Sequence, residues 1–390
     1  LLEVKPQSYY PKVMTIGPLY QNLEPSPIDN YKALCVKKFM ERHGIAVAED
    51  LISAEPNELR HIYNLNLPQS EIEWLQLLVT VDTVFILECI CSISPDEGAV
   101  LCMQLWRDLL LIGNQIPMSF LKKTSLKLHL EIVNLEKNVR DFTVQRNPFF
   151  SNRDVSSRFL RFLDSNNKAL IHQCDHLLDS VYYSCTLEEE EEELTTLTYF
   201  KESQQKYVRL PSAFQLYNAG IRFKACEGNI SVMKYDKSKL QLHLPRLVVF
   251  DETEDLLRNL LAHEITSRKE GDFLTYAIIM DMLIDTEEDL AILTKANVIE
   301  NHTGNDIKVV QMWNDIRTNV PYSYKSKKWR AIVPVMVTHY SSRWRRLYAE
   351  CYEKFFSRPW LWIPVLAAFL LLSASILQTF YTIAGYYENT

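Results

Sequence analysis

The stretch Glu71–Cys91 reads EIEWLQLLVTVDTVFILECIC, and how it is taken decides the architecture. Trp74, Leu75, Leu78, Val81, Phe85 and Leu87 recur at helical spacing. Its 21 residues are enough to cross a bilayer. Glu71, Glu73, Asp82 and Glu88 interrupt the apolar run, so it is read as the buried helix of a globular body and not as a membrane span. Its neighbours extend that reading. Ile28–His43 is a helix stopped by Gly44, Ala99–Leu111 is an apolar helix broken near Gly113, and a third runs from about Pro117 to Arg140. Helix continues over residues 156–183.

The texture changes after a run of six glutamates, Glu188–Glu193. Ile221–Phe250 carries short β-like stretches, in which Leu240, Leu242 and Leu244 alternate with polar residues. Helices then resume. The acids of residues 251–255 suit a first helical turn, and Thr286 with Asp289 forms a capping-box-like start to a helix ending near Ala296. Another helix spans about 305–318, and a last helical stretch begins near Tyr340. The expected fold class is therefore mainly α (α+β): a multi-helix globular body over residues 1–358 with one small β-sheet in its C-terminal half. The acidic loop, about 184–206, separates two lobes and is expected to be solvated, because like charges in a block repel one another.

Composition agrees with a helical body. Nine glycines in 390 residues are far fewer than the usual share of roughly 7%. None pair as G-x-G-x-x-G or G-x-x-x-x-G-K-[ST], so the nucleotide loops those patterns build are absent. The net charge is -7, and the glutamate run supplies most of it. No basic field exists to favour nucleic acid, which is not an expected partner. Eight dispersed cysteines, none in C-x-x-C, read as reduced buried side chains, Cys89 and Cys91 included.

Residues 359–387 contain no charge, and Trp360–Ala384 reads WLWIPVLAAFLLLSASILQTFYTIA. This is the expected single-pass anchor, residues 359–384, with a short tail at 385–390. Trp360, Trp362 and Tyr381 are the interfacial aromatics, Pro364 lies in the first turn, and Leu370, Leu371, Leu372 and Gln378 fall within the span. Membrane lipid is thus an expected partner. Arg343, Arg345, Arg346, Lys354 and Arg358 precede the span and no Lys or Arg follows it, which places the body in the cytoplasm by the positive-inside rule. An N-terminal signal ahead of Leu1 would instead place it outside the cell. The basic residues at 325–330 and 343–346, interleaved with Trp329 and Trp344, are read as contacts to anionic lipid or as plainly solvated charge.

Chemistry is sparse. His172 and His176 stand at i and i+4 on the expected helix, the spacing of two metal ligands, but a polar helix face explains them equally well. His263-Glu264 lacks a second His, and G-x-S-x-G does not occur. No catalytic, cofactor or metal residue is assigned, and a non-enzyme is expected. Asn114-Gln115-Ile116-Pro117 combines two amides with a residue that cannot donate, a recipe for a hydrogen-bonded break between helices.

Several stretches together resemble a plant-specific family, the domain of unknown function 247 (DUF247; UPF0481-like). The opening block is Tyr10 to Pro18, ending in Gly17-Pro18, although the family's following Tyr-His is here Leu19-Tyr20. A second block holds Asp82 and Phe85. The third, Asp108 to Pro117, contains Asn114, Gln115 and Pro117, with the family's Glu replaced by Gly113. Further on, Leu257 to Glu264 carries Asn259 and Glu264, and Arg358-Pro359-Trp360 leads into the terminal helix. The resemblance implies a membrane-anchored plant protein with a recognition or signalling role and an unidentified protein partner. It extends to a pollen-side self-incompatibility determinant of the kind proposed for grass members. The alternative is an enzyme of unrecognised type acting at a membrane.

Overall fold

The computed structural model describes residues 5–20, 29–45, 55–63, 68–92, 99–129, 132–150, 159–161, 163–164, 169–187, 209–267, 271–318, 326–341 and 362–388. The N-terminal half is built from α1 (Asp29–His43), α2 (Pro56–Tyr63), α3 (Gln69–Ser92), α4 (Ala99–Leu109), α5 (Met118–Lys127), α6 (Ile132–Arg146), α7 (Leu170–Gln173) and α8 (Leu177–Thr186). Helix α3 is the pillar of this half. It packs against α1, α2, α5 and α6, and Ile72, Leu75, Val79, Phe85 and Cys89 are buried along it. Its length and hydropathy alone would pass for a membrane span. The surrounding helices make it a core helix instead, and Glu71, Glu73 and Gln76 lie on its less buried side.

Two expected helices break where local conformation overrides pattern. The helix expected from Pro117 to Arg140 is two, because His129 takes a left-handed φ of 56°. The helix expected over 156–183 is interrupted at Cys174, whose backbone is extended, before α8 begins with His176 as its N-cap. Cys91 is exposed, not buried, and accepts from Asn138 Nδ2 at 3.0 Å. The glutamate run lies outside the described residues.

The C-terminal half comprises α9 (Ala213–Asn218), β1 (Arg222–Cys226), β2 (Lys234–Asp236), β3 (Gln241–Pro245), β4 (Leu247–Val249), α10 (Thr253–Thr266), α11 (Asp272–Leu283), α12 (Glu287–Lys295), β5 (Ile299–Asn301), α13 (Asp306–Ile316) and α14 (Lys327–Tyr340). Among the described residues there are two small sheets, not one. In the first, β3 runs between β1, parallel, and β2, antiparallel. In the second, β4 pairs in parallel with β5, a strand too short to announce itself by alternation. Helix α12 starts on the expected capping box, in which Thr286 and Asp289 bond each other's backbone reciprocally.

Helix α14 begins well before Tyr340 and draws part of the 325–330 cluster into the body, while Arg330 stays exposed. Trp329 is buried, and Lys328 pairs with Asp272 at 3.3 Å, so this segment packs into the body. Basic residues 343–346 lie outside the described residues. The buried apolar side chains form one continuous cluster from Val13 to Met336. A final helix, α15 (Trp362–Glu388), has eight large apolar side chains from Ile363 to Leu377 between 55% and 73% exposed.

Candidate functional site

Residues 5–20 form an extended strap without regular structure beyond one short turn at Pro6–Ser8, so their backbone groups need partners from elsewhere. The family-like residues supply them. Asp108, fully buried at the end of α4, accepts from the N–H groups of Lys12 (3.0 Å), Val13 (2.7 Å) and Met14 (3.0 Å). Asn114 Oδ1 accepts from Ile16 N (2.6 Å), while its Nδ2 donates to Met14 O (3.0 Å) and Asp108 O (2.9 Å). Asp82 on α3 accepts from Gly17 N at 2.8 Å and pairs with Lys32. Gly17 turns left-handed there (φ +69°), a conformation glycine adopts without strain. Asn259 on α10 donates to Ser8 O (2.9 Å) and accepts from Ile112 N (2.9 Å). Arg107 donates to Gln7 O and Tyr10 O and pairs with Asp255. Burial pushes the Asp255 carboxyl up, but Ser8, Arg107 and Lys12 outweigh this and hold it below its ordinary value.

Gln115 closes the break that the sequence pattern indicated. Its Nε2 donates to Leu109 O (2.7 Å) and Leu111 O (2.8 Å), and its Oε1 accepts from Leu178 N at 3.2 Å. Pro117 is the residue before α5, and Phe85 is a fully buried core side chain. The two departures from the family pattern touch each other. A Cβ on Gly113 would overlap the Tyr20 hydroxyl and crowd Leu19 Cδ2 at 2.8 Å.

A second polar cluster joins α8 to α10 and α11. His263 Nε2 and Asp179 Oδ1 are 2.8 Å apart, and Ser267 Oγ lies 3.3 Å from His263 Nδ1. Glu264, buried, accepts from Tyr182 OH (2.6 Å), Phe273 N (2.9 Å) and Leu274 N (2.7 Å). Burial raises its pKa against those donors and raises that of Tyr182 as well. Asp108 and Asn114 thus belong to the strap clasp and His263 to a different network.

Among the described residues, two cavities of small-molecule size lie beside the clasp and α10, and a further one of about 420 Å³ lies against α1. One, of about 860 Å³, lies between the strap, α2, the 112–119 turn and the α7–α8 break. Pro18, Gly113, Gln115 and Pro117 line it, together with Lys122, His172 and His176. The other, about 500 Å³, is mostly apolar and flanked by Trp106 and Arg146, whose guanidinium lies 4.6 Å from the Trp106 ring centroid. The break at Cys174 removes the helical i, i+4 relation of His172 and His176 on which a metal pair would rest. Among the described residues no group of three or more His, Cys, Asp or Glu is placed to hold a metal ion.

On α15, Pro364, Leu370, Leu371, Leu372 and Gln378 are exposed; Trp360 and the side chains of Trp362 and Tyr381 lie outside what is described. Lys122 and Ser119 went unnoticed in the sequence, since neither sits in a pattern. Asn229, which with Ile230 and Ser231 spells the N-x-S glycosylation pattern, is buried, and its Nδ2 donates to Ser184 O (2.9 Å) and Leu187 O (2.8 Å).

The model of a plant protein family of unknown function, DUF247, matches residues 1–374, a range that takes in the strap, its clasp and the α10–α11 junction. The chain belongs to that family. A UPF0481 protein of Arabidopsis thaliana is 24% identical over 96% of this chain and 87% of its own length. No solved structure matches.

Proposed function

We propose that the protein is a single-pass, membrane-anchored recognition component that works through protein contact. The observation that carries the anchoring is α15. Its Leu, Ile and Phe side chains stand exposed over four turns, an arrangement suited to lipid and costly in water. Ser373 and Thr379 turn their hydroxyls onto Phe369 O and Ser375 O, each at 2.8 Å, as polar side chains do in hydrocarbon. The helix runs 27 residues, about 40 Å, and its apolar stretch among the described residues is Leu366–Thr379. The basic residues before it favour a body on the cytoplasmic side. The recognition role rests on the family resemblance, and a pollen-side self-incompatibility determinant is its particular form. Sealed vesicles carrying the full chain with an N-terminal tag test the arrangement. The chain should resist carbonate extraction and lose its tag to external protease. Extraction into the carbonate supernatant would overturn the anchor, and protection of the tag would reverse the topology.

A membrane-associated enzyme is the second reading, favoured by one arrangement. Ser267, His263 and Asp179 follow one another in the order of a hydrolytic triad. Against it, no cavity described above is lined by Ser267. Labelling of Ser267 by a fluorophosphonate would favour the enzyme; an unlabelled Ser267 leaves the cluster as a brace between α8 and α10.

A further inference from the structure

We infer that the 860 Å³ cavity is a binding site for a small organic anion with an apolar body, held at its charged end by Lys122, His172 and Ser119. The volume falls within the range of small-molecule sites, roughly 300–1,000 Å³. Leu19, Ile62, Ile112 and Met118 give it apolar wall, while the polar side chains gather where α5 meets the α7–α8 break.

The hydrogen bonds fix what that polar end offers. An ammonium can only donate, so the 3.4 Å contact of Lys122 Nζ with His172 Nδ1 makes that nitrogen the acceptor. The His172 proton then resides on Nε2. His176 Nδ1 accepts from Asp179 N at 3.1 Å, which leaves its proton on Nε2 as well. The His172 imidazole is thereby set as an Nε2 donor beside an ammonium, His176 forms the wall next to it, and Ser119 contributes a hydroxyl. Such an end is rich in donors, and a carboxylate, sulfonate or phosphate is the complementary group.

The charge balance points the same way. Lys122 is half-buried, and burial lowers its pKa, so its ammonium is partly stripped of water. Glu136, the nearby acid, is already engaged by Arg140 Nε at 2.6 Å and by the N–H groups of Leu170 and Ile171. Asp175 also lines the cavity, but its side chain is exposed and its field is screened by solvent. An incoming anion therefore finds a cation whose nearest acid is spoken for.

The test uses the full chain in lipid nanodiscs, titrated calorimetrically with 2-naphthoate and with 2-naphthylmethylammonium, empty discs being subtracted. The carboxylate should bind at one site per chain, and the matched cation about ten-fold more weakly or not at all. Lys122→Met should weaken the carboxylate by about ten-fold, the scale of one lost charge-assisted hydrogen bond, while Lys122→Arg retains binding. His172→Phe should also weaken it. Thermal unfolding of each variant establishes that the body is folded. No binding of the carboxylate, equal binding of the two probes, or an unchanged affinity in folded Lys122→Met would each overturn the inference. Because the cavity lies in the body, these outcomes are independent of whether α15 enters a membrane.

Discussion

Asn114 does three jobs with one amide, and both ends of that amide matter. Its Oδ1 receives Ile16 N, and its Nδ2 reaches Met14 O and Asp108 O. Asn114→Asp keeps the shape but sets a carboxylate oxygen against two carbonyl oxygens in a fully buried place. We expect a loss of about 3 kcal/mol or more, read from urea unfolding followed by helical circular dichroism. An unshifted midpoint would mean that the clasp adds nothing to stability. Gly113 makes a second residue-level case. Gly113→Glu would drive its Cβ into Tyr20, whose hydroxyl donates to Tyr9 O at 3.0 Å, and should cost about 1–3 kcal/mol. Tyr20→His in the same chain, restoring the family's pair at those positions, should recover part of that loss. A double-mutant cycle measures the coupling, and strict additivity would refute it.

At the scale of elements, legibility followed sequence distance. The Thr286–Asp289 box could be read because its partners are three residues apart, and Gly44 because a helix stop is local. Strand β5 could not, since its partner β4 lies about fifty residues earlier and three residues carry no period. The break at Cys174 escaped because LIHQCDHLLD has helical texture throughout; the tertiary bond from Met118 N to Asp175 O at 2.6 Å holds the extended link, and the local cap uses His176, a residue type that does not signal a helix start. The candidate site suffered in the same way. Resemblance picked out Asp82, Asp108, Asn114 and Asn259, but not what they grip, because their strap partners stand 65 to 251 residues away. Asp289 illustrates how a local motif acquires a distant duty. Besides capping α12 it accepts from Phe214 N at 2.7 Å, tying down the start of α9. Thr286→Ala should therefore cost about 1 kcal/mol, the loss of a cap, and Asp289→Ala about twice that or more, by the same urea assay. Equal losses would show that the α9 contact is idle.

For the whole molecule, the strap, α3 and the C-terminal helices share one continuous core, so an ionisable group buried in it should be felt by the global transition. Asp281 on α11 is that group. Burial raises its pKa from the ordinary 3.8 to about 6, although Arg317 Nε lies only 2.7 Å from its Oδ2 and pulls the other way; Asp285 adds to the rise and Arg209 opposes it. The folded chain thus binds a proton at Asp281 more tightly than the unfolded chain does. Its contribution to stability is complete below about pH 3.8 and is lost as pH rises through about 6. Glu264, also raised by burial, acts in the same direction, while Asp255, held low by Ser8 and Arg107, acts in the opposite one. The net slope of stability against pH therefore mixes several groups, and the informative quantity is a difference. Thermal unfolding of the full chain in nanodiscs, from pH 4.5 to pH 7.5, should change more steeply downward for wild type than for Asp281→Asn, which cannot titrate. The two curves should run parallel above pH 7, where Asp281 is ionised in both folded and unfolded states. Parallel curves across the whole range would place the Asp281 pKa at its unfolded value, with the Arg317 pair cancelling the effect of burial on that carboxylate.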